Sequence, residues 1–369
     1  MEKNKKIRTI GISIVAVLWL ILTVFVWVLP SKDISTSERR PLAQFPELSV
    51  ETVLSGEFIT KFEDYTLDQF PARDTFRQLK SMFHFYVMRQ SDNNDIYIED
   101  GYAAKLEYPL NTNSIDYANQ RFDKIYNKYL KNTNTKIYFS VIPDKSFYIG
   151  KENGYPTMDY EKLFADIQSN NEWATYIDIT NKLSVSDYYK TDTHWRQENI
   201  VDVAQLLCEK MGVTQPDKNS FTTQEVNKPF YGVYYGQAAL PMPSEKMYIL
   251  TNDTLQNCVV TDFETNKKTV IYDSTMLESK DLYDYYLSGA KALLTIENPN
   301  AKTDKELVIF RDSFGSSIAP LFVESYAKVT LIDIRYISSD FIGNFVKFNN
   351  QDVLFLYSTL VLNSSSTLK

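Results

Sequence analysis

The chain has 369 residues, a mass of 42.8 kDa and a formal net charge of −8, and 44% of its residues are hydrophobic. Such a chain can bury a substantial core, and its 11 Gly and 13 Pro residues exclude collagen-like and low-complexity proteins. An acidic pI near 5.1 argues against a nucleic-acid-binding protein, and two cysteines, Cys208 and Cys258, are too few for a disulfide scaffold.

Residues 10–29 form an uncharged apolar run, which as a helix would be about 30 Å long and would match the hydrocarbon core of a membrane. Basic residues precede this run, so the positive-inside rule places residues 1–9 in the cytoplasm and the chain after Pro30 outside the cell. A cleaved signal peptide is the alternative. Its apolar region is usually shorter and ends in small residues, whereas this one ends in Trp27 and Leu29. We therefore expect an uncleaved, single-pass membrane anchor.

Residues 30–55 are rich in proline and small polar residues, which is typical of an extended stalk, and residues 56–369 are expected to form one extracellular domain. The domain begins with apolar residues at helical spacing, which predict two helices interrupted near Pro71. His84 follows Phe83 and precedes Phe85 and Tyr86. We expect this histidine to be packed in an aromatic core.

Strands and helices alternate along most of the remaining chain. A hairpin with its turn at Asp100 and Gly101 is followed by a helix at 113–131, a strand ending at Pro143, a helix at 160–173 and a strand at 174–180. The clearest helix covers 196–211, and residues 214–275 are predicted to be a β-rich insertion. Alternation at this spacing favours a parallel sheet covered on both faces.

The C-terminal third returns to the same alternation. We predict strands at 307–310, 328–335 and 352–358 and helices at 318–326 and 339–350. Between the first strand and the first helix, the sequence RDSFGSS predicts a tight turn. It places Ser313 at the carboxyl end of a parallel strand, where open α/β sheets bind ligands, with the amide groups of a helix N-terminus nearby to stabilise an oxyanion. A plain helix-capping serine is the alternative.

A second candidate site is the sequence TDTHW. A serine nucleophile requires a general base and a carboxylate that orients this base. His194 could supply the base and Asp192 the carboxylate. His194 is also the only histidine outside an aromatic run. A surface Asp-x-His pair remains an alternative, as does a metal site completed by acids near predicted strand ends. Those acids are Asp144, Asp178 and Asp333.

The order TDTHW and then strand-RDSFGSS-helix resembles the DHHW family and the alginate O-acetylation proteins, a branch of the SGNH hydrolase superfamily. The segments ERRPLAQFPEL, DQFPARD and VIPDKSFYI add to this resemblance, which extends over residues 38–362. It implies an α/β fold, the permuted SGNH hydrolase-like three-layer sandwich with a parallel sheet. The N-terminal transmembrane helix and the β-rich insertion would be additions to that fold.

The resemblance also implies roles for particular residues. Ser313 would be the nucleophile, His194 the general base and Asp192 its orienting carboxylate, with Asp312 bracing the turn. Arg311 replaces the usual Gly before the Asp of such turns, and Thr193 replaces the second residue of the DHHW signature. Further candidates for oxyanion or substrate contacts are Gly289, Asn298, Tyr357 and Arg311. Candidates for saccharide contacts are Tyr231, Tyr234 and Tyr235.

The resemblance therefore implies a membrane-anchored extracellular serine O-acetyltransferase that modifies hydroxyl groups of an exported or cell-wall polysaccharide. A multispanning membrane protein would supply the acetyl groups, and neither a cofactor nor a metal is expected. Two alternatives remain open from the sequence. One is a carbohydrate acetylesterase of the same fold, and the other is a non-catalytic polysaccharide-binding or assembly protein.

Overall fold

The computed structural model describes residues 2–369, with side chains from residue 5 onward. The chain divides into two compact units. The first comprises the chain up to Asn93 together with Tyr235–Pro241, and the second comprises Asn94–Tyr234 and Met242–Lys369. Residues 56–93, which the sequence analysis grouped with the large domain, thus belong to the first unit.

The first unit begins with a long apolar helix, α1 (Glu2–Val28). Its segment Lys5–Val28 has a mean hydropathy of 2.6 and is long enough to cross a membrane. A signal sequence near an N-terminus can also meet these criteria of length and hydropathy. The predicted apolar helix is therefore confirmed, and its role as an anchor remains a proposal.

The rest of the first unit is mostly helical. Its elements are β1 (Ile34–Ser35), β2 (Arg40–Pro41), α2 (Val50–Leu54), α3 (Glu57–Asp68), α4 (Arg73–Met82) and β3 (Asp92–Asn93). As predicted, the chain breaks between α3 and α4 near Pro71. Ion pairs fix this break, because Arg40 bonds Asp68 at 2.6 Å and Arg73 bonds Glu38 at 2.5 Å.

His84 does not lie in a packed aromatic core, and that prediction is wrong. It belongs to a π-helical turn, Phe83–Val87, that continues α4, and it is only half-buried. Phe83 and Tyr86 on the same turn are 51% and 60% exposed. Helical periodicity identifies an apolar face but does not say whether another element covers it.

The second unit contains the remaining elements. Its strands are β4 (Ile96–Glu99), β5 (Tyr102–Lys105), β6 (Lys136–Ile142), β7 (Thr175–Tyr176), β8 (Thr222–Phe230), β9 (Glu245–Thr251), β10 (Val259–Asp262), β11 (Lys267–Thr269), β12 (Leu293–Glu297), β13 (Glu306–Arg311), β14 (Lys328–Ile332) and β15 (Asp352–Ser358). Its helices are α5 (Thr112–Ile125), α6 (Lys145–Ile149), α7 (Tyr160–Asn170), α8 (Val201–Met211), α10 (Asp253–Asn257), α11 (Gly315–Ile318) and α12 (Thr359–Asn363), while α9 (Val233–Ala238) runs across the boundary between the units.

An eight-stranded mixed sheet organises the second unit, in the order β11-β10-β12-β14-β13-β15-β6-β7. The five strands from β14 to β7 in this order are parallel to one another. At the other edge, β12 pairs antiparallel with β14, β10 with β12 and β11 with β10. The predicted α/β class with a parallel-containing sheet is confirmed.

Alternate residues of the central strands point to opposite faces of the sheet. On β13, Leu307 and Ile309 pack into a core that includes residues of α8, whereas Val308 and Phe310 pack with residues of α5 and α7. Helices thus cover both faces, and three layers result. The carboxyl ends of β13, β15 and β6 lie side by side, because these three strands are neighbours and parallel.

Several predicted elements differ in extent. In the β-rich stretch, β8 and β9 pair with each other, whereas β10 and β11 join the main sheet. The helix predicted at 318–326 is a single turn of α-helix, α11, followed by a 3₁₀ turn, and residues 339–350 hold only a 3₁₀ turn at Ile342–Asn344. Pro320 removes a backbone donor that a longer helix needs, so α11 cannot continue through it.

Candidate active site

The turn after β13 presents Ser313 at the carboxyl edge of the sheet. Asp312, fully buried, accepts the amide of Phe314 at 3.0 Å through Oδ1 and the amide of Ser358 at 2.7 Å through Oδ2. These bonds tie the turn to the end of β15. Ser313 itself stays partly exposed, so its hydroxyl can meet a reactant.

Asp192 and His194 lie in a reversal of the chain that an antiparallel bridge between Tyr188 and Trp195 closes. The Asp192 Oδ1 accepts the backbone amide of His194 at 3.0 Å, which is an Asx turn. The same oxygen lies 2.6 Å from Nδ1 of His194. The Asp-x-His spacing thus lets one carboxylate oxygen hold both the backbone and the ring of the histidine.

The structure brings these two stretches together, although 119 positions separate them. His194 Nε2 lies 2.7 Å from Ser313 Oγ. Because the carboxylate of Asp192 can only accept, Nδ1 carries the ring proton and Nε2 is free to accept the hydroxyl proton of Ser313. Asp192 is fully buried and its Oδ2 accepts the amide of Val233 at 2.8 Å, so the carboxylate is held in place.

Aromatic side chains fix the imidazole plane. The ring of Tyr283 stacks on His194 with centroids 3.8 Å apart and an interplanar angle of 8°, and Phe314 lies at 4.8 Å. Burial raises the pKa of Tyr283 well above its ordinary value, so this side chain stays neutral. Its hydroxyl donates to Ser317 Oγ at 2.8 Å.

The tryptophan of TDTHW joins the base to the nucleophile turn. Trp195, fully buried, donates its indole N–H to Ser317 Oγ at 2.8 Å. Two residues later, Gln197 donates to the carbonyl of Ser317 at 2.7 Å. The helix that follows Ser313 is therefore bonded directly to the segment that carries His194.

Arg311, which replaces the expected Gly before the turn, points away from solvent. It is fully buried, lies 3.7 Å from the carboxylate of Asp333 and donates to the carbonyl of Asp312 at 3.2 Å. Asp333 also pairs with Arg335 at 2.6 Å. Tyr357 is buried in the core below the turn. Arg311 and Tyr357 thus support the turn from beneath and do not face a reactant.

The remaining oxyanion candidates lie elsewhere. Asn298 follows β12, which runs antiparallel to β14, so it sits at the sheet edge opposite Ser313 and donates to the carbonyl of Val323 at 2.8 Å. Gly289 occupies a turn with a φ of 77°, and a Cβ there would meet Asp284. Asn298 therefore lies away from Ser313, and Gly289 serves the backbone turn beside Asp284.

The three tyrosines suggested for saccharide contacts occupy different settings. Tyr231 is 42% exposed. Tyr234 is buried, and its hydroxyl donates to Thr193 Oγ1 at 3.1 Å. Tyr235 is half-buried and belongs to the first unit. Only Tyr231 presents the open ring surface that a sugar would need.

The acids considered for a metal site have other partners. Asp144 caps α6, Asp178 accepts the amide of Thr180 at 2.8 Å, and Asp333 pairs with Arg335. In the part of the chain that the structure describes, no three His, Cys, Asp or Glu side chains cluster as metal ligands would.

Sequence reasoning missed two groups that shape the site. Tyr283 is one of 26 tyrosines, and nothing in its neighbourhood marks it. The amide of Val233 reaches Asp192 because Gly232 lets the two segments approach, and a Cβ on Gly232 would lie 2.3 Å from Asp192 Cα. In the sequence, Gly232 beside the tyrosine-rich loop was the one indication that another segment approaches closely here.

The comparisons support the fold. No family model matches the chain, and no curated protein does. Among solved structures, a DHHW family protein from Eubacterium siraeum is similar with a TM-score of 0.59 and 20% identity, over 73% of this chain and 93% of that one. PatB1 from Bacillus cereus, solved with a sulfonyl adduct, is similar with a TM-score of 0.56 and 19% identity, over 72% and 95%. At these identities the likeness shows a shared fold, which agrees with the predicted DHHW-like, SGNH hydrolase-like architecture.

Proposed function

We propose that this protein is an extracellular, membrane-anchored serine O-acetyltransferase that acts on polysaccharide hydroxyl groups through an acyl-serine intermediate. The observation that carries the proposal is the hydrogen-bonded series Asp192–His194–Ser313. Nδ1 of His194 lies 2.6 Å from Asp192 Oδ1, and Nε2 lies 2.7 Å from Ser313 Oγ. The DHHW-like and alginate O-acetylation-like motifs support acetyl transfer as the reaction.

Transfer takes place in two steps, acetylation of Ser313 and transfer of the acetyl group to the acceptor. Ser313 Oγ attacks the carbonyl carbon of an acetyl donor while His194 Nε2 accepts its proton, and the imidazolium then gives that proton to the departing group. An acceptor hydroxyl next gives its proton to His194 and attacks the acetyl-serine. The acetyl ester forms on the acceptor, and Ser313 regains its proton.

The oxyanion formed in each step needs hydrogen-bond donors. Within the turn, the amides of Phe314, Gly315 and Ser316 already donate to Asp312 Oδ1, to the Asp312 carbonyl and to the Ser313 carbonyl. The amide of Ser313 has no such partner among the residues that the structure describes. It is therefore the donor we assign to the oxyanion, in place of the helix amides expected from the sequence.

A cleft along the segment that precedes Asp192 supports binding of a large acceptor. It has a volume of about 330 Å³ and includes Thr191, the residue before Asp192. Lys190, Arg196 and Tyr248 also line it. Cationic and aromatic side chains suit the hydroxyl-rich edge and flat face of sugar rings.

The location of the protein and the source of its acetyl groups are also part of the proposal. The apolar helix α1 would anchor the protein with the second unit outside the cell. Acetyl coenzyme A is cytoplasmic, so a multispanning membrane protein would pass acetyl groups outward to Ser313.

The decisive assay is acetyl transfer from a chromogenic acetyl ester to an oligosaccharide, followed by mass spectrometry of the saccharide. We expect acetylated saccharide from the wild-type chain and none from Ser313→Ala or His194→Ala. Release of acetate without acetylated saccharide would indicate an esterase. Saccharide binding that survives Ser313→Ala, without turnover in the wild type, would indicate a non-catalytic binding protein.

A further inference from the structure

Lys145 is a buried lysine whose ammonium group lies against the segment that carries Asp192. It is the first residue of α6 and is only 2% exposed. Nζ donates to the carbonyl of Tyr189 at 2.8 Å and to that of Lys190 at 3.3 Å, and it lies 5.0 Å from the centre of the Tyr234 ring. Burying an ammonium group is costly, so these contacts must offset a large desolvation penalty.

The charges that face Lys145 come from three elements. They are the carboxylates of Asp144 on its own loop, of Asp192 on the base segment and of Glu245 at the start of β9. Burial lowers the pKa of Lys145 to about 7, and these carboxylates oppose that shift. Of the three carboxylates, that of Asp192, which orients the base, favours the ammonium form most.

Lys145 and Glu245 both bind the backbone of the segment that precedes Asp192, one at its carbonyl groups and the other at its amide groups. Lys145 bonds the carbonyls of Tyr189 and Lys190, while Glu245 accepts the amides of Lys190 and Thr191, both at 2.7 Å. The stretch directly before Asp192 is thus fixed through its carbonyl and its amide groups.

The loop of Lys145 is also bonded to the nucleophile turn. The amide of Asp144 donates to Thr359 Oγ1 at 3.1 Å, and the amide of the preceding Ser358 donates to Asp312 at 2.7 Å. A continuous set of bonds therefore runs from the Ser313 turn through the ends of β15 and β6 to Lys145, and from Lys145 to the base segment.

We infer that Lys145 is a positioning residue for the proposed acyl transfer: its bonds to the carbonyls of Tyr189 and Lys190 hold the base segment in register with the nucleophile turn. The inference rests on the proposed function for its role in turnover. The placement of the His194 ring against Asp192 does not require turnover, and it can be observed in the resting protein.

The test uses the full chain with its histidines labelled with ¹⁵N. The protein has only two, and His84→Gln identifies the signals of His194. The Nδ1 proton that His194 donates to Asp192 gives a low-field NMR signal. Lys145→Met removes the hydrogen-bond donors, so we expect this signal to be lost and kcat for ester cleavage to fall by at least about 10-fold with little change in KM. Lys145→Arg keeps donors and should restore both.

Lys190→Met is the matched control, because it removes an exposed ammonium group from the neighbouring segment. A low-field signal in Lys145→Met as strong as in this control would overturn the inference. If Lys145→Met does not fold, Lys145→Gln decides, because its shorter side chain does not reach both carbonyls. Loss of the signal in Lys145→Gln supports the inference, and an unchanged signal contradicts it. Failure of the transfer assay in the wild type, with the signal lost in Lys145→Met, would count against the proposed function alone.

Discussion

The ring of Tyr283 lies flat on the imidazole of His194, with centroids 3.8 Å apart and planes only 8° from parallel. The carboxylate of Asp192 fixes one ring edge, and the stacked tyrosine fixes the plane. Together they leave Nε2 pointing at Ser313. The base is thus oriented by a hydrogen bond and by packing, and the two contributions can be separated by mutation.

Replacing Tyr283 by Leu removes the stack. We expect kcat for ester cleavage to fall by roughly 10 to 100-fold with little change in KM, because a misdirected base affects proton transfer more than binding. Tyr283→Phe keeps the ring and loses only the bond to Ser317, so its kcat should stay within about threefold of wild type. Steady-state kinetics of both variants checks this. Equal losses in the two variants would assign the effect to the hydroxyl and not to stacking.

Gly232 permits the close approach that places the Val233 amide on Asp192. A Cβ there would overlap Asp192, so Gly232→Ala should displace the carboxylate and reduce kcat by more than about 10-fold. Gly154→Ala is the control. It also adds a methyl group, but nothing lies within 4 Å, and its positive φ should cost only about 1 kcal/mol of stability. Wild-type kcat in Gly232→Ala would show that Asp192 does not depend on this contact.

Asp144 should make stability depend on pH. Burial raises the pKa of Asp144 to about 6, so the folded protein binds a proton that the unfolded chain releases near pH 4. Stability relative to Asp144→Asn should therefore fall as pH rises from about 4 to about 6, by up to about 3 kcal/mol. Urea unfolding at several pH values measures this. The same substitution at the exposed cap of α7, Asp159→Asn, is the matched control, and an equal pH dependence in the two variants would contradict the role of burial.

The membrane topology can be tested with single cysteines, because Cys208 and Cys258 are buried and should react slowly. In intact cells a membrane-impermeant maleimide should label a cysteine at the exposed position 218, and label one at position 5 only after permeabilisation. Labelling of both without permeabilisation would contradict a cytoplasmic N-terminus. A mature protein that lacks the first 30 residues would indicate a cleaved signal sequence.

The sequence predicted the sheet strands and the nucleophile turn well, because buried β-branched runs and the RDSFGSS turn are local signals. It also singled out Asp192 and His194, whose Asx turn is encoded by adjacent residues. It could not reveal the environment of His84, the stack by Tyr283 or the contacts of Lys145, since each depends on which distant segment packs there. Asn298, a predicted oxyanion candidate, lies away from Ser313 for a topological reason, because β12 runs opposite to its neighbours and carries its end away from Ser313.

The central claim is that His194 activates Ser313, and covalent labelling with a sulfonyl fluoride tests it most directly. Peptide mapping after brief exposure of the full chain should locate one sulfonyl group on Ser313 in the wild type. His194→Ala should slow this labelling by at least about 100-fold. Modification of another residue, or equally fast labelling of Ser313 without His194, would contradict the account.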